Sequence, residues 1–245
     1  MASFIKLRLG AALVLAAAPG AAPLAAQSGV LAYRVRVWPE GALLGLTGAS
    51  TLVAQHLAER RPPVACRPCD PARVPGFDRI AIGVVRPVPA RLSDVGLVGT
   101  VAAAALLARR DGPDGAEWED VAVIVQGAAL TGAATNWAKV LARRVRPHLY
   151  DSLSAADRAS YEDSMSFPSG HASVAIAAAV AYAGIQHRRG TLGRRRSETA
   201  VLAGTAVLTA SLRVAARRHF PSDALAGLAL GAALGWIVPQ VYAAR

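Results

Sequence analysis

Lys139, Arg146 and Arg213 are fixed cations, His171 and His219 are imidazoles, and Asp223 is a carboxylate; together they are the residue types that bind and break a phosphate ester. A phosphomonoester dianion repels nucleophiles and binds where cations and N–H donors converge. Arginine offers such an anion a planar fork, and lysine a compact point charge. Of the 27 basic residues, all are arginine except Lys6 and Lys139. Composition therefore does not account for lysine at 139. Lys139 and Arg146 lie seven positions apart, two helical turns, which predicts that both project from one face near the end of an apolar helix. Ser169 and Gly170 precede an apolar run, where the free N–H groups and positive end of a helix favour an anion.

These residues fall into three clusters: Lys139, six residues, Arg146-Pro147; then Pro168-Ser169-Gly170-His171; then Arg213, five residues, His219, three residues, Asp223. In this pattern the chain resembles the type 2 phosphatidic acid phosphatase superfamily, which also contains bacterial class A acid phosphatases and vanadium haloperoxidases. The first two motifs are complete. The third lacks the serine before its arginine: Leu212 stands there, with Ser211 one place early. The departure is expected to be tolerated, the serine being the least chemically committed member. The resemblance spans roughly 118–241.

The resemblance implies a phosphoric ester hydrolase that needs no metal or other cofactor. Lys139, Arg146 and Arg213, with Ser169 and Gly170, would hold the phosphate. His219 would attack phosphorus to form a phosphohistidine, with Asp223 hydrogen-bonded to its other ring nitrogen. His171 would donate a proton to the leaving alkoxide and then activate the water that cleaves the phosphoenzyme. The expected substrate is a lipid phosphate or diphosphate, such as phosphatidate or an isoprenoid diphosphate. A soluble periplasmic acid phosphatase of broad range is the alternative. A vanadate-dependent haloperoxidase ranks lower, because those chains are much longer.

Other polar residues have plainer readings. Arg143, Arg144, Arg217 and Arg218 read as a solvated or headgroup-facing collar. His148 and Tyr150 read as ordinary loop residues, and His56 and His187 as solvent-facing.

Positioning the site requires helices. Six apolar segments, 41–54, 95–108, 121–138, 172–185, 199–212 and 224–243, are rich in Ala, Leu and Val with Gly and Pro between them. They predict an all-α antiparallel bundle of about six helices, with the motif-bearing ends meeting at one end. Residues 30–38 alternate weakly and read as a short extended arm. The expected organisation is a signal peptide over 1–26, an N-terminal arm, first helix and cysteine loop over 27–94, and a phosphatase core over 95–245.

Lys6 and Arg8, an apolar run from Leu9 to about Ala18 and a small-residue site before Gln27 predict an export signal cleaved near Ala26; an uncleaved membrane helix is the alternative. In an oxidising compartment, Cys66 and Cys69 favour a local disulfide over free thiols, and two cysteines are too few for a structural zinc site. The net charge of +11 favours anionic partners, lipid headgroups or phosphate esters, and no nucleic-acid motif accompanies it. Only 121–138 and 224–243 approach the ~20 residues that span a bilayer; the other segments run to about 14. Six crossings from an exported N-terminus would put the Arg188–Arg196 loop outside, against the positive-inside rule. Five crossings, with 41–54 outside the bilayer, reverse this. The expectation is a cytoplasmic-membrane enzyme facing the periplasm, the alternative a soluble periplasmic one.

Overall fold

A computed structural model describes residues 37–62, 64–112, 117–153 and 160–242, so the expected signal peptide and most of the expected arm lie outside the described residues. Six α-helices carry the fold: α1 (Val37–Glu59), α2 (Pro87–Asp111), α3 (Glu117–Ala142), α4 (Gly170–Arg188), α5 (Arg196–Ala215) and α6 (Pro221–Val241). Four short 3-10 turns interrupt the connections, and the described residues include no strand. Each apolar segment is a helix, and most run past the apolar core. Proline in the first helical position starts α2 and α6, where its fixed φ suits the helix and its missing N–H leaves nothing unsatisfied. The helix α2 reaches 25 residues and α5 20, where about 14 were expected. Val37 and Trp38, assigned to the arm, begin α1.

The helix α4 is the axis of the bundle and packs against α2, α3, α5 and α6, whereas α1 rests on α3 at the periphery. Half of its buried residues are alanine: Ala172, Ala175, Ala177, Ala178, Ala179 and Ala181. Against it α6 sets Gly227, Gly231 and Gly235, one turn apart. A Cβ there would stand 2.5, 2.0 and 2.4 Å from the carbonyl oxygens of Ser169, Ser173 and Ala177. The two backbones touch, a close approach that only small residues permit and that membrane bundles favour.

Large apolar side chains point the other way. Leu92, Val95, Val98 and Leu106 on α2, Val201 and Leu208 on α5, and Leu225 and Ile237 on α6 are exposed. Small inside and large outside suits a lipid surround rather than water. Among the described residues, four helical stretches are long and apolar enough to cross a membrane: Pro87–Asp111, Glu117–Tyr150, Arg196–Ala215 and Pro221–Val241. The chain is a membrane protein. The count of two full-length segments is thereby corrected, because α2 and α5 gain their length from flanking turns.

At one end of the bundle polar groups clasp the helices together. The Asp111 carboxylate accepts hydrogen bonds from Tyr182 Oη at 2.8 Å and Arg110 Nε at 2.8 Å, and pairs with Arg195 at 2.8 Å. Arg189, at the end of α4, pairs with buried Asp120 of α3 at 2.5 Å. The opposite end collects the C-termini of α3 and α5 and the N-termini of α4 and α6.

Candidate active site

After α5 the chain turns through Arg217, at φ +62°, and delivers His219 just before Pro221 opens α6. The imidazole is buried, and its Nδ1 lies 2.7 Å from the backbone carbonyl of Ser166. A carbonyl only accepts, so Nδ1 carries the proton and Nε2 keeps its lone pair. The nearest Asp223 oxygen is 3.8 Å from Nδ1, beyond hydrogen-bonding distance. The expected Asp223 contact is corrected accordingly: a backbone carbonyl sets the tautomer, and the carboxylate acts electrostatically from behind. Burial, reinforced by Arg146, Lys139 and Arg213 and opposed by Asp223, pushes His219 down to about 3, so the ring is neutral at ordinary pH.

Asp223 is fully buried and organises its surroundings. Its Oδ2 accepts from Ser166 Oγ at 2.6 Å and from the Phe220 N–H at 2.8 Å, while Oδ1 accepts from Arg144 at 2.6 Å. Arg144 also donates to Asp78 Oδ2 at 2.7 Å and to Ser222 Oγ at 2.5 Å. Asp78 in turn accepts from the Ser222 N–H at 3.0 Å and its hydroxyl at 2.7 Å, satisfying a free donor at the start of α6 from another part of the chain. Arg144 is therefore no solvated collar residue: it joins two buried carboxylates and stacks on Phe220. Arg143 is exposed, as expected, while Arg217 bonds the Ile80 carbonyl.

The residues expected to bind phosphate converge by a different route from the one predicted. Lys139 sits in the last turn of α3, but the helix ends at Ala142, and Arg143 adopts φ +49°. Arg146 lies beyond in extended backbone, so the two cations do not share a helical face. Arg146 is buried, with Nε donating to the Glu162 carbonyl at 2.7 Å. Lys139 Nζ lies beside Gly170, where a Cβ would stand 3.6 Å away. Ser169 precedes the first residue of α4 without capping it; its Oγ is buried with no hydrogen-bond partner, and so is Arg213 Nε. Buried donors left unpaired are costly, and an incoming oxyanion would satisfy them.

His171, in the first turn of α4, has its Nε2 2.7 Å from Asp94 Oδ1 of α2. Arg213 Nη1 lies 3.2 Å from Ser93 Oγ and 3.7 Å from the same Asp94 oxygen. Ser211 turns away, donating to the Val207 carbonyl within α5, so Ser93 rather than Ser211 supports Arg213. Sequence reasoning missed Ser93, Asp94, Asp78 and Ser166. The signal for Ser93 and Asp94 was a polar pair inside what is a single helix, obscured by starting the segment at 95. Asp78 and the Ser166 carbonyl carry no local signal, because both act across the fold.

The profile of the PAP2 superfamily matches residues 120–245, which hold every motif residue named above. The chain belongs to the PAP2 superfamily. It is a phosphoric ester hydrolase. A crystal structure of a transmembrane PAP2 type phosphatidylglycerolphosphate phosphatase from Bacillus subtilis is similar at 20% identity, covering 83% of this chain and 92% of that one, with a TM-score of 0.40. No curated protein gives a match.

In this PAP2 protein the loop after Arg146 is braced from the N-terminal side. Cys66 and Cys69 form a disulfide, and the Cys69 N–H donates to the Leu149 carbonyl at 2.8 Å. Arg67 pairs with Asp163 at 2.5 Å, and His148 Nε2 lies 3.5 Å from the other Asp163 oxygen. Tyr150 packs edge-on against Phe220. His148 is thus a buried structural residue rather than an ordinary loop one.

Proposed function

We propose that this PAP2 protein hydrolyses the phosphate esters or diphosphates of lipids through a phosphohistidine at His219, without a metal ion. The observation that carries the reading is the hydrogen bond from His219 Nδ1 to the Ser166 carbonyl, which leaves Nε2 unprotonated among Lys139, Arg146 and Arg213. Nε2 attacks phosphorus while the three cations, Ser169 Oγ and the N–H groups at the start of α4 hold the equatorial oxygens. As the phosphorus–oxygen bond breaks, His171 donates a proton to the departing oxygen. The neutral His171 then takes a proton from water; the water oxygen attacks phosphorus, the nitrogen–phosphorus bond breaks, and phosphate leaves.

A lipid substrate fits a site that opens at one end of a bundle whose outward faces are apolar. The orientation that fits charge places the Arg188–Arg196 loop in the cytoplasm and the site on the periplasmic side, where the Cys66–Cys69 disulfide persists. The experiment is phosphate release by detergent-purified protein from phosphatidate, an isoprenoid diphosphate and a soluble aryl phosphate, with EDTA present, followed by acid-quench trapping of the phosphoenzyme. Phosphoenzyme in the wild type and none in His219→Ala supports the mechanism. Turnover with no phosphoenzyme in pre-steady-state sampling refutes it.

A further inference from the structure

Asp94 belongs to none of the three motifs, yet its carboxylate meets His171 Nε2 at 2.7 Å and stands 3.7 Å from Arg213 Nη1. Its side chain is 60% exposed, so it stands at the open rim of the site rather than in the core. We infer that Asp94 is a positioning residue that fits the site to phosphomonoesters of alcohols and against diphosphates. The inference rests on the roles given above to His219 and His171.

An alkoxide is a very poor leaving group and departs only if protonated, whereas the phosphate expelled from a diphosphate is stable as an anion and needs no acid. A general acid must carry its proton into the reaction, and here burial, with Arg213 and Lys139 adding to it, pushes the His171 ring down to about 4 and so opposes its positive charge. Asp94 is the opposing anion. By accepting one of the two N–H bonds of the imidazolium, it supports the charged ring and fixes its orientation, leaving the other N–H for the leaving oxygen. When the ester oxygen takes that proton, the alcohol departs neutral and His171 returns to neutral imidazole.

Charge on the leaving side matters as well. A departing alcohol brings none next to the Asp94 carboxylate. A departing lipid phosphate brings at least one negative charge, and like charges at close range are unfavourable. A site built only for diphosphates would gain nothing from an acid with its own counter-ion and would suffer from a carboxylate at that rim.

The experiment uses full-length protein in detergent micelles, as wild type, Asp94→Asn and Asp94→Glu, with three substrates: phosphatidate, an isoprenoid diphosphate and p-nitrophenyl phosphate, whose leaving group needs little protonation. The wild type is expected to favour phosphatidate over the diphosphate in kcat/KM. In Asp94→Asn, kcat on phosphatidate should fall about 100-fold, the lower end of what a general acid contributes. The loss on the other two substrates should be at least about tenfold smaller, and Asp94→Glu should recover part of it. Equal losses on all three substrates, or a wild type that prefers the diphosphate, would overturn the inference while leaving the phosphatase reading intact. A folded wild type that turns over none of the three overturns both. A further measurement needs no variant: the wild-type rate of phosphoenzyme formation should vary little with the acidity of the leaving alcohol across a series of phosphomonoesters. Steep variation would show that no effective acid is present and sink the assignment.

Discussion

His219 Nδ1 is 2.7 Å from the Ser166 carbonyl and 3.8 Å from Asp223, so the conformation of the chain just before Pro168, rather than the carboxylate, selects the tautomer of the His219 ring. Asp223 is then free for a second task, holding Arg144, Ser166 and the start of α6 in register.

His219→Ala should abolish phosphoenzyme formation and turnover while leaving the bundle folded, because the helix–helix packing around α4 does not run through the ring. His171→Ala should keep slow phosphoenzyme formation on an activated aryl phosphate and lose about 100-fold or more on an alkyl phosphate. Rapid-quench trapping of both variants checks the division of labour, and complete loss of phosphoenzyme in both would contradict it.

Arg144→Ala removes the link between Asp78 and Asp223 and leaves both carboxylates buried without their cation. Breaking such a pair costs about 3–5 kcal/mol. Reduced thermal stability in detergent is expected, with Asp78→Ala in the same background adding less than it does alone. Additive losses would mean that the three groups do not act as one network.

Acid should weaken the fold through His219. The ring sits at about 3 in the folded protein against an ordinary 6.5, chiefly because it is buried. Between those values the unfolded chain binds a proton that the folded chain does not. Its contribution to stability is therefore full above about 6.5 and is lost as the pH falls toward 3. The thermal midpoint of the wild type should drop more steeply than that of His219→Gln between pH 7 and 5. Parallel curves would show that the ring is not held neutral by the fold.

Gly231→Ala places a methyl group 2.0 Å from the Ser173 carbonyl oxygen and must push α6 from α4. Overpacking of this kind costs about 1–3 kcal/mol. The shift also moves Ser169 and Asp223, which hydrogen-bond between the two helices at 2.9 Å, so activity should fall along with stability. A fully active, equally stable Gly231→Ala protein would refute this packing.

The all-helical fold and the family were legible in the sequence, because apolar segments separated by Gly and Pro mark helices and because Lys139, Arg146, His171, Arg213, His219 and Asp223 keep their spacing along the chain. How they meet was not legible along the chain. Two turns of helix from Lys139 to Arg146 looked sound, yet Arg143 in left-handed backbone ends α3 first, and position in the loop does the work that helical phase was expected to do. Asp78, Ser93 and Asp94 escaped notice because their partners lie 66 to 144 residues away, and separation along a chain says nothing about such contacts. Arg144 was misread for the same reason, its two carboxylates being invisible to local pattern.

The clasp around Asp111 and Asp120 ties the helices together at the end opposite the candidate site. With Arg110, Tyr182, Arg195 and Arg189 tying α2, α3, α4 and α5 together there, the helices can hinge but cannot slide past one another. On the proposed lipid reading, room for an acyl chain would come from the other end, at the mouth of the candidate site. On warming, amide protons at that mouth should exchange with solvent first, and catalysis should fade while most of the helical signal persists.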